Sequence, residues 1–364
     1  MNSRLALIGV ILAAAAPQTA LAQTTEHAFE PFALTISGGV SLGAYEAGLN
    51  WALVSFIKRA NAFATEPGLP RPRLVALAGA SAGSINALLA AAVWCQRLSN
   101  AEDATVDHNL LRDTWMPVSL DQLLPDDPSL YLREDALLSR RPLIVGLENV
   151  RGKIFDRKDG YAFIPGCQIP VGFTVTRTAP RDTQVRGLST LTQRFVIPLV
   201  FEVTPAGWVR IRPQFLLPDR DSSDYVVRLA ESREDSGESS VPSEQVSQAI
   251  LASSAFPLAF SPRQICTCEA TCPEERVVTT GSCRGLDPAH PIGGLTCAGL
   301  SSSERDLKLC RWEYVDGGIF DNGPLGLAID QVESWQSPSP LHPVRYGFVD
   351  PDVRRSQSFL SKQS

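Results

Sequence analysis

A short apolar run, Phe32-Ala33-Leu34-Thr35-Ile36, breaks into the glycine-rich stretch Ser37-Gly38-Gly39-Val40-Ser41-Leu42-Gly43. A run of this length bounded by glycine predicts a buried strand. Leu49, Leu53, Phe56 and Ile57 follow at helical spacing. A second run, Leu74-Val75-Ala76-Leu77-Ala78, predicts the next strand. Ile85, Leu88, Leu89, Ala92 and Val93 then fall at i, i+3, i+4, i+7 and i+8, which gives a helix one apolar face. Strand, helix, strand, helix in this order predicts an α/β protein whose parallel sheet carries helices on its faces.

Residues 104–160 read as polar and helical, broken at Pro117, Pro125 and Pro128. Strands are expected at 171–176, 195–203, 208–215 and 225–229, and an exposed loop rich in serine and charge at 231–244. A helix at about 243–253 leads into Ala255-Phe256-Pro257. The segment 265–311 lacks periodicity and is rich in Cys, Gly and Pro, so it reads as an insertion. A short strand at 312–315 then ends in Asp316-Gly317-Gly318, and a helix at 325–335 and a strand at 344–349 close the fold. The expected organisation is one domain over 32–350 and a polar tail at 351–364, with no internal repeat.

Composition narrows the partners. The chain has 364 residues, 44% of them hydrophobic, and a formal net charge of −6. No basic stripe is present to neutralise phosphates, which argues against a nucleic-acid surface. Contact with lipid would rest on apolar surface rather than on attraction to anionic head groups.

The first 22 residues read as a signal peptide: Arg4, then an apolar stretch from Leu5 to Ala16, then Ala20-Leu21-Ala22 as the cleavage site. An N-terminal anchor is the alternative, but the apolar run falls short of the roughly 20 residues that span a bilayer. The mature chain is expected to start near Gln23 and to work outside the cytoplasm. Eight cysteines agree with export, and six of them cluster: Cys266, Cys268, Cys272, Cys283, Cys297 and Cys310. An even, clustered set in an exported chain reads as disulfides whose pairing sequence alone leaves open. A zinc site fits less well, because paired C-x-x-C knuckles are missing. Cys95 falls on a predicted helix as a buried small residue, and Cys167 either pairs with it or stays free.

The second strand runs into Gly79-Ala80-Ser81-Ala82-Gly83, a G-x-S-x-G pentapeptide. On a sharp strand-to-helix turn the serine hydroxyl is pushed out of the backbone. The N–H groups of the following helix favour negative charge at that point. In a parallel sheet the turn at 37–43 lies at the same carboxyl edge, where such sheets carry their sites. Its backbone N–H groups can then face Ser81 as an oxyanion hole. A phosphate-binding turn is the rival reading, but G-K-[ST] is missing and the spacing does not fit G-x-G-x-x-G. Ser81 needs a base. None of the four histidines, His27, His108, His290 and His342, sits in a motif-like setting. Asp316 does, at the end of an apolar strand and before two glycines.

Together these features resemble the patatin-like phospholipases. The resemblance rests on Ser37-Gly38-Gly39 with Gly43, on Gly79-Ala80-Ser81-Ala82-Gly83, on Asp316-Gly317-Gly318, on Ala252-Ser253-Ser254-Ala255-Phe256-Pro257, and on Asn322 and Pro324. It implies a three-layer α/β/α sandwich with a mostly parallel central sheet, and hydrolysis of lipid acyl esters without cofactor or metal. It implies a Ser81-Asp316 dyad with no catalytic histidine, in which Ser81 is acylated and Asp316 is the base. Gly38, Gly39 and the N–H of Val40 would hold the oxyanion. The chain departs from the family at Val40, where a third glycine is common, and at Leu42, where an Arg or Lys is common. The cysteine-rich insertion lengthens the spacing from Ser81 to Asp316 and is a candidate lid or partner surface. Two rivals remain. One is an α/β-hydrolase triad of Ser81, Asp316 and His342. The other is a non-catalytic exported binding module, which Leu42 favours.

Overall fold

A computed structural model describes residues 29–39, 42–63, 71–97, 105–124, 127, 136–157, 161–185, 188–217, 225–233, 238–286, 291–297, 307–335 and 343–351. The expected signal peptide, Val40, His342 and the tail beyond Pro351 lie outside the described residues.

The first half alternates as its pattern predicts: β1 (Phe29–Ile36), α1 (Gly43–Phe63), β2 (Arg71–Gly79) and α2 (Ala82–Cys95). Three helices follow: α3 (Leu110–Trp115), α4 (Leu120–Leu123) and α5 (Arg141–Ile154). Then come β3 (Gln168–Val185), β4 (Leu188–Val203), β5 (Val209–Pro213), β6 (Glu231–Arg233), β7 (Ser239–Ser240) and α6 (Ser243–Ser253). The chain closes with β8 (Arg263–Glu269), β9 (Leu295–Thr296), β10 (Lys308–Asp316), α7 (Leu325–Trp335) and β11 (Arg345–Val349).

Eight strands form one sheet. Its centre, β11-β1-β2-β3, is parallel. Antiparallel strands extend it: β4 and β5 beyond one edge of β3, β10 and β8 from the other. The long β3 thus offers one edge to two strands in succession. Gly79 at the end of β2 pairs with Phe173, and Asp316 at the end of β10 pairs with Val175. β2 runs parallel to β3 and β10 antiparallel, so their carboxyl ends meet head to head along that edge. This meeting point positions the site.

Alternation along the central strands sorts the two faces. Leu34, Ile36 and Leu77 join Ile85 and Leu89 of α2 in the main core. On the other face Ala33 and Ala76 pack with Val332 of α7, and Ala78 with Leu327 and Ala328. Helices α1, α2 and α6 cover one side and α7 the other, which is the three-layer α/β/α arrangement expected.

Both early helices differ from their sequence patterns. All of α2 except Trp94 is buried, as befits a helix that is apolar all round. On α1, Leu49 and Phe56 are exposed, while Glu46, Ala47, Asn50, Val54 and Ile57 turn inward. Two polar residues on the inward face hid its periodicity.

The cysteine-rich stretch is anchored in the main sheet rather than set apart from it. Its ends are β8 and β10, paired from Glu269↔Lys308 to Arg263↔Tyr314. Disulfides Cys266–Cys283, Cys268–Cys297 and Cys272–Cys310 fasten the excursion between them to these strands. Cys95–Cys167 ties the end of α2 to the start of β3. The expected loop at 231–244 contains β6 and β7, which join β9 in a small second sheet and bury Glu231 and Ser240. The strand expected at 225–229 is reduced to isolated bridges, Val226 to Val196 and Leu229 to Thr267.

Candidate active site

The turn from β2 into α2 sets Ser81 at φ 53° and ψ −128°. A non-glycine residue in this region is strained by roughly 1–3 kcal/mol and persists only where its surroundings impose it. Here they do. The Ala80 N–H donates to the Ile36 carbonyl, 3.2 Å, and the Gly83 N–H to the Ala80 carbonyl, 2.8 Å. Gly79 and Gly83 press together so closely that a Cβ on Gly79 would collide with the Gly83 carbonyl.

Ser81 and Asp316 are brought into direct contact. The Ser81 hydroxyl donates to Asp316 Oδ2 at 2.6 Å. The other carboxylate oxygen, Oδ1, accepts from the Gly318 N–H at 2.7 Å, within the one-turn helix Gly317–Ile319 that follows β10. Ser81 is 6% exposed and Asp316 2%. Burial pushes the Asp316 carboxyl up from an ordinary 3.8 to about 6, against the hydrogen bonds from Ser81 and Gly318 that lower it.

The backbone of both residues is held as well. The Ser81 N–H donates to Ser253 Oγ at 3.1 Å, and the Asp316 N–H to the Ala255 carbonyl at 3.0 Å.

The glycine turn lies against this pair. Gly38 sits so near that a Cβ there would fall 2.6 Å from the Ser81 Cβ, so only glycine fits. Its N–H donates to Asn322 Oδ1, 3.0 Å, and its carbonyl accepts from Asn322 Nδ2, 3.0 Å. The Gly38 N–H is therefore already engaged, which weakens its expected part as an oxyanion donor. Gly39 is next along, and its N–H takes no partner among the described residues. Gly43 opens α1 against Trp115. Leu42 is an exposed side chain where the resembling family commonly carries a cation.

Beneath the turn lies Glu46, fully buried. Burial pushes its carboxyl up to about 8; the Asn86 amide pulls it down and Asp350 pushes it further up. A carboxyl raised in this way favours its neutral form beside Gly39 of the turn.

The sequence model of the patatin-like phospholipases matches residues 34–329. The chain belongs to the patatin-like phospholipase family. Membership assigns this patatin-like protein to the lipid acyl hydrolases in general. No curated protein and no solved structure matches it.

In this patatin-like fold the pentapeptide, the glycine turn and Asp316-Gly317-Gly318 come together at one point. Among the described residues no group of His, Cys, Asp and Glu side chains forms a metal site. Ser253, Asn322 and Glu46, all close to the pair or to the turn, carry little sequence signal of their own. Ser253 and Asn322 stand out in the sequence only as parts of segments that resemble the family's. Glu46 is the one acidic residue of α1, and nothing in the sequence marks it as buried.

Proposed function

We propose that the protein hydrolyses carboxylic ester bonds of phospholipids or lysophospholipids through a Ser81-Asp316 dyad and an acyl-enzyme. The observation that carries this reading is the 2.6 Å hydrogen bond between the two buried side chains. Ser81 Oγ attacks the ester carbonyl carbon while its proton passes to Asp316 Oδ2. The tetrahedral oxyanion is met by the Gly39 N–H, with Gly38 holding the turn in place. Collapse breaks the bond to the leaving alcohol, which takes the proton from Asp316. Water then attacks the acyl-enzyme with Asp316 again as base, releasing the fatty acid and restoring Ser81. A carboxylate raised to about 6 is a better base near neutral pH than an ordinary aspartate.

The direct bond disfavours a histidine triad, because an imidazole between Ser81 and Asp316 needs far more than 2.6 Å. Large apolar side chains stand exposed on the segments that flank the dyad: Phe256 and Leu258 after Ser253, Ile319 and Phe320 after Asp316. They favour a lipid over a polar ester. Four disulfides fit an oxidising compartment, and we infer export by way of the N-terminal signal. Among the described residues no helix is long and apolar enough to cross a membrane.

The test is hydrolysis of phosphatidylcholine, its lysophospholipid and a short-chain ester, with Ser81→Ala and Asp316→Asn as controls. Loss of all turnover in both variants is expected. Turnover that survives Ser81→Ala overturns the reading.

A further inference from the structure

Ser253 is the last residue of α6, and its side chain is fully buried. Its Oγ is 3.1 Å from the Ser81 N–H. Two residues on, the Ala255 carbonyl takes the Asp316 N–H at 3.0 Å. The segment Ser253-Ser254-Ala255 therefore grips the backbone of both members of the pair, though they are 235 residues apart in sequence.

The grip is rigid. The Ser254 N–H and hydroxyl both donate to the Ile250 carbonyl, at 3.0 and 2.9 Å, and the Ala255 N–H donates to the Ala252 carbonyl at 3.1 Å. These bonds fix the end of α6, and α6 itself packs against β3, β8 and β10. At the other end stands a serine with φ 53°, a conformation that a loose elbow would abandon. Its N–H is buried, and a buried donor without an acceptor is costly.

We propose that Ser253 is a positioning residue of the dyad. Its hydroxyl fixes the Ser81 backbone while Ala255 fixes Asp316, so one three-residue strut sets the distance between them. The inference rests on the dyad reading of the site. It accounts for a serine at a fully buried position where alanine would pack as well.

Ser253 touches neither substrate nor the reacting atoms, so its loss should slow the chemical step and spare binding. A displacement of about 1 Å at a reacting group lowers rate by up to roughly 100-fold. Ser253→Ala is expected to lower kcat 10- to 100-fold on a soluble short-chain ester, with KM within twofold of wild type. Ser253→Thr, which keeps an Oγ acceptor, is expected to recover at least half of the wild-type kcat. Labelling of Ser81 by a fluorophosphonate should slow in parallel with kcat. Wild-type kcat in Ser253→Ala, a loss confined to KM, or no recovery in Ser253→Thr overturns the proposal. If Ser253→Ala does not fold, Ser253→Cys replaces it. A thiol of similar volume is a weak acceptor, so a smaller loss in kcat is expected, and an unchanged kcat overturns the proposal equally. Ser81→Ala assayed alongside separates the two readings. Turnover there removes the dyad, whereas an inactive Ser81→Ala beside a fully active Ser253→Ala removes only the strut.

Discussion

Asn322 holds Gly38 by both of its backbone groups: Oδ1 accepts the N–H and Nδ2 donates to the carbonyl, each at 3.0 Å. Asn322 follows Asp316 by six positions and Gly38 follows β1, so this one side chain joins the loop after Asp316 to the turn that faces Ser81. Asn322→Asp removes the Nδ2 donor and sets an anion beside Asp316. We expect kcat to fall at least 10-fold, with a loss of only about 0.5–1.5 kcal/mol in stability, the scale of one hydrogen bond. Steady-state kinetics beside urea unfolding checks both. Wild-type kcat would leave Asn322 as a structural link only.

Asp316 makes activity and stability depend on pH in opposite senses. As a base it must be ionised, so kcat/KM should fall tenfold per pH unit below about pH 6. For folding, its carboxyl is raised from 3.8 to about 6. The folded state therefore binds the proton more tightly than the unfolded chain. The stabilisation this gives is complete below pH 3.8 and is lost as pH rises to about 6. Asp316→Asn cannot ionise. Its stability should gain on wild type by about 2–3 kcal/mol between pH 4 and pH 7. Melting curves across that range measure it, and a constant offset would contradict it.

Glu46 behaves in the same way at higher pH. Its carboxyl is raised from 4.5 to about 8, so the contribution of its neutral form is complete below pH 4.5 and is lost as pH rises to about 8. Glu46→Gln mimics the protonated acid. Between pH 6 and pH 8, where Asp316 contributes alike to both proteins, Glu46→Gln should pull ahead of wild type by about 1–3 kcal/mol. Activity at pH 6 should be nearly unchanged, because both proteins carry a neutral side chain there.

The disulfide Cys95–Cys167 spans 72 residues. It joins the far end of α2 to the start of the strand on whose edge β2 and β10 meet. Closing so long a loop restricts the unfolded chain, an effect worth about 2–4 kcal/mol. The double variant Cys95→Ser and Cys167→Ser should lose that much stability in urea unfolding. Its kcat at 20–25 °C (roughly room temperature) should be kept within about threefold, because neither sulfur approaches Ser81. A collapse of kcat in folded protein would mean that the bridge sets the elbow as well.

What could be read from the sequence was local. The elbow around Ser81 follows from an apolar run, two glycines and a helical period, all within about twenty residues of chain. The helix at 243–253 was legible for the same reason, and α6 has those bounds. Asp316 stood out because it ends an apolar strand. What escaped depends on register between distant strands. Nothing near Asp316 reveals that β10 runs antiparallel and meets β2 end to end on β3. Nothing near Cys266 or Cys268 reveals that they lie on a strand of the main sheet. The inward face of α1 was obscured by Glu46 and Asn50, polar residues buried on it. Ser253 and Asn322 make their side-chain hydrogen bonds to distant backbone, which leaves no periodic trace.

The central claim is that Ser81 is a nucleophile activated by Asp316. The most direct measurement is reaction of the folded protein at pH 7.5 (roughly neutral) with a fluorophosphonate, followed by mass spectrometry of the modified peptide. The account predicts one adduct, on Ser81, formed at a rate that drops at least 100-fold in Asp316→Asn, in line with loss of a general base. Folded protein that never labels at Ser81, or that labels equally fast without Asp316, would contradict it.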